Sequence, residues 1–174
     1  QGMGGILSLT GETEGEPQKV GVPIADIMSG MFAGVAVNAA LRPAAVTGQG
    51  QYIDIGMLDT QVAWLVNQGM NFLHSGQAER LGNAHPNIVP YQVFETADGH
   101  IVVAVGNDTQ FRTFAGIIGE PELADQPLFA TNDSRVRNRD EVVAHLQAIM
   151  KTQTSAHWLA ELEANKIGCG PINT

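Results

Sequence analysis

The first half of the chain combines long apolar stretches with glycine-rich turns. Over residues 24–41 nearly every position is apolar or small, which predicts a helix buried on most of its sides. Pro23 fits the first turn of this helix, and Pro43 predicts its end. Alternation at 52–55 predicts a short strand, and helical periodicity returns over 57–76. The order helix, strand, helix indicates part of an α/β layered domain.

The pattern changes after this second helical stretch. Residues 77–91 are mostly polar, with glycine and two prolines, and indicate a linker that includes a functional loop. Residues 91–105 are rich in β-forming side chains around Asp98-Gly99, which predicts a hairpin. Helical segments are predicted at about 108–118, 121–125, 138–151 and 154–165.

These elements divide the chain into three parts. Asn138 and Glu141 have the spacing of a capping box, which predicts that a helix starts at Asn138. The hairpin and helices predicted for the second half of the chain indicate a small α/β unit. The predicted parts are the central portion of a larger domain at 1–76, a linker and loop at 77–91, and a small α/β domain at 92–174.

Composition narrows the possible functions. Of 174 residues, 44% are hydrophobic and 16% charged, which is enough apolar material for a sizeable core. The formal net charge of −9, with 9 Lys and Arg against 18 Asp and Glu, argues against nucleic-acid binding. The most apolar stretch is interrupted by Asn38 and Arg42 and looks too short to span a bilayer, and no signal peptide is evident. We therefore expect a soluble, cytoplasmic protein.

Several common chemistries lack their motifs. The sequence has no phosphate-binding P-loop and no nucleophile elbow, and the Gly-x-Gly at 48–50 precedes the predicted strand without a third glycine. The five histidines have no metal-ligand spacing, so we expect no metal site. The single cysteine, Cys169, cannot form a disulfide within the chain, and its Gly-Cys-Gly-Pro context indicates a structural turn rather than a nucleophile.

Asp26 is the candidate with two interpretations. It lies in the predicted first turn of an apolar helix, where a carboxylate stabilises the helix N-terminus by about 1 kcal/mol. The same position could hold an ionised nucleophile, because the small neighbours Ala25, Ser29 and Gly30 leave room for a substrate. Composition alone favours the structural interpretation.

Several ordered motifs resemble the class III CoA-transferases, also called the CaiB/BaiF type. This superfamily includes formyl-CoA transferase, carnitine CoA-transferase and α-methylacyl-CoA racemase. The resemblance covers essentially the whole chain and is carried by residues 1–42, 47–65, 80–111, 129–141 and 169–173.

The resemblance implies a catalytic role for Asp26, which occupies the family's Ala-Asp-x-x-x-Gly-Met context. Its carboxylate would attack an acyl-CoA thioester, form a mixed anhydride and then an aspartyl-CoA thioester, and pass CoA to an acceptor acid. The resemblance also implies a mobile active-site loop that excludes water, in which His85 is the candidate for substrate contact. The residues themselves fit an ordinary interdomain turn with an exposed histidine equally well. The residues of this loop are Gly82, Asn83, Ala84, His85 and Pro86. Asp54 and Asp59 are interpreted as structural.

The resemblance further implies an α/β architecture in which a Rossmann-like large domain is joined to a small domain, and interlocked homodimers form. This sequence would then be an internal fragment, lacking the N-terminal part that supplies most CoA-binding residues, and inactive by itself. Coenzyme A and acyl-CoA would be substrates, with no permanently bound cofactor.

Two alternatives stay open at this point. A racemase of the same superfamily would exchange the α-proton of a 2-methylacyl-CoA with an acid/base pair. A non-catalytic structural or oligomerisation piece would instead use the small-residue helix 24–41 and the apolar face of 57–73 as partner-binding surfaces.

Overall fold

The computed structural model describes residues 1–173, and the chain divides into two compact units, Gln1–Gly82 and Asn83–Thr174. The division falls within the segment 77–91. Helices and a small antiparallel sheet make up the chain, and the sheet belongs entirely to the second unit.

The first unit contains four helices. They are α1 (Ile6–Leu9), α2 (Ile24–Thr47), α3 (Met57–Ala63) and α4 (Val66–Ser75), and α2 packs against α3. The strand predicted at 52–55 is wrong, because these residues have no regular structure. A strand needs a neighbouring backbone to pair its N–H and C=O groups, and no strand lies among residues 1–82.

Helix α2 is longer than the apolar pattern predicts. It continues past Pro43 to Thr47 and ends at Gly48, whose φ of 70° forms a left-handed cap and whose N–H donates to Ala44 O over 2.8 Å. The hydroxyl of Thr47 donates to the carbonyl of Pro43 over 2.9 Å. A proline lacks one helical donor, and here that loss does not end the helix.

The sides of α2 are exposed in this chain, contrary to the predicted burial. None of its residues is buried, and Val35 is 70% and Leu41 60% exposed. By length and composition α2 could cross a membrane, so the expectation that this stretch is too short is wrong. The core helix of a soluble protein meets the same test, which makes the observation weak evidence for a membrane span.

The second unit is built on a three-stranded antiparallel sheet in the order β1 (Tyr91–Glu95), β2 (His100–Ala104), β3 (Gly168–Pro171). The predicted hairpin is confirmed, with Tyr91 opposite Ala104 and Glu95 opposite His100. Strand β3 was missed, since its Gly-Cys-Gly-Pro sequence was interpreted as a turn. It pairs with β2 because it follows the last helix back to the sheet.

Helices surround this sheet close to their predicted positions. They are α5 (Asp108–Ile117), a 3₁₀ helix (Pro121–Asp125), α6 (Asn132–Arg137), α7 (Arg139–Met150) and α8 (Ser155–Ala164). The short α6 was not predicted. The prediction of a capping box at Asn138 is wrong. The side chain of Asn138 does not cap α7, and its amide donates instead to Ser134 O over 2.9 Å.

The hydrophobic core lies within the second unit. Its fully buried members come from β1, β2, α5, α7, α8 and the connections between them, and they include Val89, Phe94, Ile101, Val103, Val105, Phe111, Phe114, Val142, Leu146, Met150 and Leu162. In the first unit only Gly4, Thr60 and Gln61 are buried. The apolar side chains of that unit therefore have no core of their own within this chain.

Candidate active site

Asp26 lies in the first turn of α2, as the sequence predicts. The helix has no side-chain cap, and the Asp26 carboxylate is exposed and makes no hydrogen bond or ion pair with any of residues 1–173. Free N–H groups of a first turn stabilise negative charge nearby. The carboxylate is therefore exposed and has no side-chain or backbone partner among residues 1–173.

Ser29 ties the start of α2 to α3. Its Oγ lies 2.7 Å from Ala25 O and 2.8 Å from Thr60 Oγ1, and Thr60 Oγ1 in turn lies 2.9 Å from Met57 O. Ser29 and Thr60 have one hydroxyl proton each, which is one fewer than these three contacts need. The hydrogen bond between α2 and α3 therefore forms when one of the two hydroxyls donates to the other instead of to a carbonyl of its own helix. Ser29 follows Asp26 by three residues and shares its helix face, so this pair fixes the turn that carries Asp26.

The chain start packs on α3. Gly4 is buried, and a Cβ there would lie 2.9 Å from Gln61 Cδ, so a larger residue would displace the end of the Gln61 side chain. The Nε2 atom of Gln61 is buried and has no partner within residues 1–173. Asp59 lies in the first turn of α3 with its carboxylate over Gly56.

The first end of the predicted loop is held by Arg80. Its Nε donates to Glu12 O over 3.2 Å, and its Nη2 donates to Gly15 O over 2.6 Å. Gly82 donates its N–H to Gly11 O over 3.2 Å and has a φ of 55°, a conformation that favours glycine. Gly82 thus belongs to the first unit and is bound to the 11–15 turn.

The other end of the loop belongs to the second unit and is centred on His85. The backbone N–H of His85 donates to Tyr91 O over 2.8 Å, and the two rings stack with centroids 5.1 Å apart. The N–H of Asn87 donates to His85 Nδ1 over 3.1 Å, so the proton of a neutral ring is on Nε2. Burial, and secondarily the charge of Arg139, lowers the pKa of His85.

Arg139, the first residue of α7, holds the backbone of this loop. Its Nη2 donates to His85 O and to Pro86 O, each over 2.9 Å. Its Nη1 is buried and has no partner within residues 1–173. The structure therefore places His85 and Pro86 on a fixed support.

Helix α6 holds the residues that follow. Asn132 donates its amide to Asn87 O over 2.8 Å and accepts the N–H of Val89 over 3.1 Å. The fully buried Arg135 donates to Val89 O over 2.7 Å and to Asp108 over 3.0 Å. Burial, only partly offset by Asp108, lowers the pKa of Arg135.

Sequence reasoning missed these anchoring residues. Arginines alternate along the chain at 135, 137 and 139, and nothing in their spacing distinguishes them. The first is buried, the second is exposed in an ion pair with Asp133, and the third binds the loop. The three arginines differ because α6 ends at Arg137 and α7 begins at Arg139, a change of helix that the sequence pattern does not predict.

The possible metal ligands and the one thiol of residues 1–173 were each located in the structure. Residues 1–173 contain no group of three His, Cys, Asp or Glu side chains placed to hold a metal ion. Cys169 lies half-buried in β3, and burial, followed by the charge of Glu163, raises the pKa of its thiol. A raised pKa leaves less thiolate at neutral pH and makes this cysteine a poor nucleophile.

The helix that carries Asp26 and the small α/β unit with its anchored loop both contain motifs on which the sequence resemblance rests. The sequence model of CoA-transferase family III matches residues 1–174, and the chain belongs to this family. The resemblance inferred from the motifs is thereby confirmed.

Relatives of known name and a solved structure are consistent with this family membership. The chain is 47% identical over 180 residues to the succinate–glutarate CoA-transferase of Agrobacterium fabrum, covering 100% of this chain and 44% of that protein. It is 40% identical over 173 residues to the succinyl-CoA:glutarate CoA-transferase of Mus musculus, covering 99% of this chain and 40% of that protein.

The crystal structure of a CAIB/BAIF family protein from Brucella suis superposes with a TM-score of 0.75 at 47% identity. The match covers 100% of this chain and 46% of that one. The chain thus spans less than half the length of the relatives it matches.

Proposed function

We propose that the protein carrying this chain transfers CoA from an acyl-CoA thioester to a small carboxylic acid. Family membership supports the reaction class, and the two relatives named for succinate and glutarate support a short dicarboxylate as substrate. The observation that carries the proposal is the exposed, unpaired carboxylate of Asp26 in the first turn of α2.

In this proposal Asp26 attacks the thioester carbonyl, giving a mixed anhydride and CoA thiolate. The thiolate attacks the Asp26 carbonyl of the anhydride, so an aspartyl-CoA thioester forms and the donor acid leaves. The acceptor carboxylate displaces the thiolate to give a second anhydride, and the thiolate then takes the acceptor acyl group and frees Asp26. One thioester replaces another, so no ATP is needed.

We assign the exclusion of water from these anhydrides to the loop of Gly82, Asn83, Ala84, His85 and Pro86. An anhydride hydrolyses unless water is kept away. Support for this assignment comes from family membership. His85 is the member proposed to contact substrate.

We also propose a wider setting for the chain, in which residues 1–76 form part of a Rossmann-like large domain and the protein forms an interlocked homodimer in the cytoplasm. Family membership and the uncovered apolar side chains of α2 support this setting.

The test uses the protein at its natural length with an acyl-CoA donor and succinate or glutarate as acceptor. Asp26→Ala should abolish CoA transfer while leaving the protein folded. Asp54→Ala is the matched control, because Asp54 is also exposed and lies outside the helices. A transferring Asp26→Ala enzyme would refute the role of Asp26.

Two further measurements identify the reaction. Peptide mass mapping after incubation with acyl-CoA alone, followed by an acid quench, should find CoA attached at Asp26. Incubation of the same mixture in deuterated water should leave the α-carbon unlabelled. Deuterium incorporation would support the racemase, which the relatives named above do not favour.

A further inference from the structure

The side chain of Gln1 holds the segment that leads into α2. Its Oε1 accepts the N–H of Val20 over 2.8 Å, and its Nε2 donates to Val22 O over a longer 3.4 Å. A primary amide has an acceptor and a donor side, so one glutamine binds both groups of the segment. The same Val22 carbonyl accepts the N–H of Ile24, the first residue of α2, over 2.8 Å. Gln1 therefore acts on the backbone immediately before the helix.

Gln1 is itself held within the first unit. Its backbone carbonyl accepts the N–H of Leu7, in α1, over 3.4 Å. Three residues after Gln1, the buried Gly4 faces the side chain of Gln61, in α3. Residues 1–4 therefore connect α3 to the segment that enters α2.

The position of the Asp26 carboxylate depends on the backbone of this first turn. The carboxylate is exposed and has no hydrogen bond within residues 1–173, so no side chain fixes it directly. After Asp26, Ser29 joins α2 to Thr60 of α3 over 2.8 Å. Before Asp26, the side chain of Gln1 holds the chain. The first turn is thus connected to α3 from both of its ends.

We propose that Gln1 is a positioning residue that directs the Asp26 carboxylate towards the thioester carbonyl. The inference rests on the proposed function, since it concerns formation of the aspartyl-CoA thioester. In that step the C–S bond of the donor breaks and a C–S bond forms at the Asp26 carbonyl. The donor leaves as a carboxylate that contains one oxygen atom of Asp26. A misplacement of about 1 Å can slow such a step on the order of a hundredfold.

The experiment follows formation of the aspartyl-CoA thioester in the natural-length protein. The protein is mixed with saturating acyl-CoA without acceptor acid, quenched with acid at successive times, and CoA attached at Asp26 is measured by peptide mass. The rate constant describes the reaction of active molecules, and the amplitude describes how many molecules are active.

Four variants are compared with the wild type. Gln1→Met keeps the length of the side chain but removes both hydrogen bonds, and should lower the rate constant about tenfold. Gln1→Asn is one carbon shorter and should also be slow. Gln1→Glu still accepts the N–H of Val20, so its rate constant should be intermediate. Gln18→Met is the matched control, because Gln18 is exposed and its side chain has no hydrogen bond within residues 1–173.

The rate constant separates positioning from a general structural role. A variant that is merely less folded has a smaller amplitude, while its active molecules react at the wild-type rate constant. A wild-type rate constant in Gln1→Met would overturn the proposal, whatever the amplitude. If that variant does not fold, a wild-type rate constant in Gln1→Asn overturns it instead. Equal slowing in Gln18→Met would also count against a specific role of Gln1.

The proposed function fails in a different way. A wild-type protein that forms no aspartyl-CoA thioester and transfers no CoA would refute the function, and this inference with it. A wild type that forms the thioester at Asp26, with unaltered rate constants in the Gln1 variants, rejects the role of Gln1 alone.

Discussion

The hydroxyl oxygens of Ser29 and Thr60 lie 2.8 Å apart and join α2 to α3 one helical turn beyond Asp26. Thr60 is buried, whereas most other side chains of the first unit are exposed. This pair is therefore the best-defined contact that orients the helix carrying the candidate nucleophile.

Thr60→Val should weaken this contact, since it removes the hydroxyl that faces Ser29 Oγ and Met57 O. We expect the free energy of unfolding of the natural-length protein to fall by about 1–2 kcal/mol, as for other buried hydrogen-bonding groups. Urea unfolding measures this. Ser75→Ala, which removes an exposed helical hydroxyl contact, is the control and should change little. Equal effects of the two substitutions would contradict the importance of the pair.

Arg135 should contribute far more to stability than the nearby Arg137. Its buried guanidinium binds Val89 O, Phe129 O over 2.6 Å and Asp108, and Arg135→Leu leaves both carbonyls unpaired. We expect a loss of about 3 kcal/mol in the free energy of unfolding. Arg137→Leu removes only an exposed ion pair and should cost about 0.5 kcal/mol or less. Denaturant unfolding followed by circular dichroism compares them; similar losses would contradict the assignment.

Asp98 should make stability depend on pH in the acid range. The N–H of Ser155 donates to its Oδ1 over 2.7 Å, and this bond, with smaller contributions from the Ser155 and Thr96 hydroxyls, lowers the pKa of Asp98. Because the folded pKa lies below the unfolded one, the stabilisation is complete above about pH 5 and is lost as pH falls through the folded pKa.

Asp98→Asn tests this dependence. The difference in the free energy of unfolding between wild type and variant should be greatest near neutral pH and should shrink below about pH 4. Urea titrations across this range measure it. A difference that is constant with pH would show that the charge of Asp98 does not matter.

His85 should report the charge of Arg139 directly. That charge lowers the pKa of His85, although burial is the larger cause. Arg139→Gln should therefore raise the pKa of His85, yet leave it below its ordinary value of about 6.5 because the burial remains. Proton NMR of the ring against pH measures the change, and Arg137→Gln should leave it unaltered. A lower pKa in Arg139→Gln would contradict the contact.

Much of the second unit could be predicted because its patterns are local. Asp98-Gly99 between two β-rich runs predicts the hairpin, and the helical segments follow apolar periodicity. The exceptions depend on distant partners. Gly168–Pro171 has no strand pattern and forms β3 only because β2 offers it an edge to pair with.

The first unit shows where local patterns fail. Residues 52–55 alternate like a strand but have no paired neighbour in this chain, and Pro43 lies inside a helix that continues to Gly48. The position of Asp26 in a first turn was predictable from the sequence pattern, whereas the chemical role proposed for it comes from the family resemblance. The anchors Arg80 and Arg139 were not predictable, because each binds backbone carbonyls far away in sequence.

The placement of the core has a practical consequence for ligand screening. Every side chain of the hydrophobic core lies between Val89 and Ile167, so cooperative melting of this chain reports on the second unit. Asp26 belongs to the first unit, which contributes no side chain to this core, so the melting temperature is an indirect measure of binding at Asp26. Compounds that bind near Asp26 should therefore be sought with a spectroscopic probe attached to α2 and not by thermal melting.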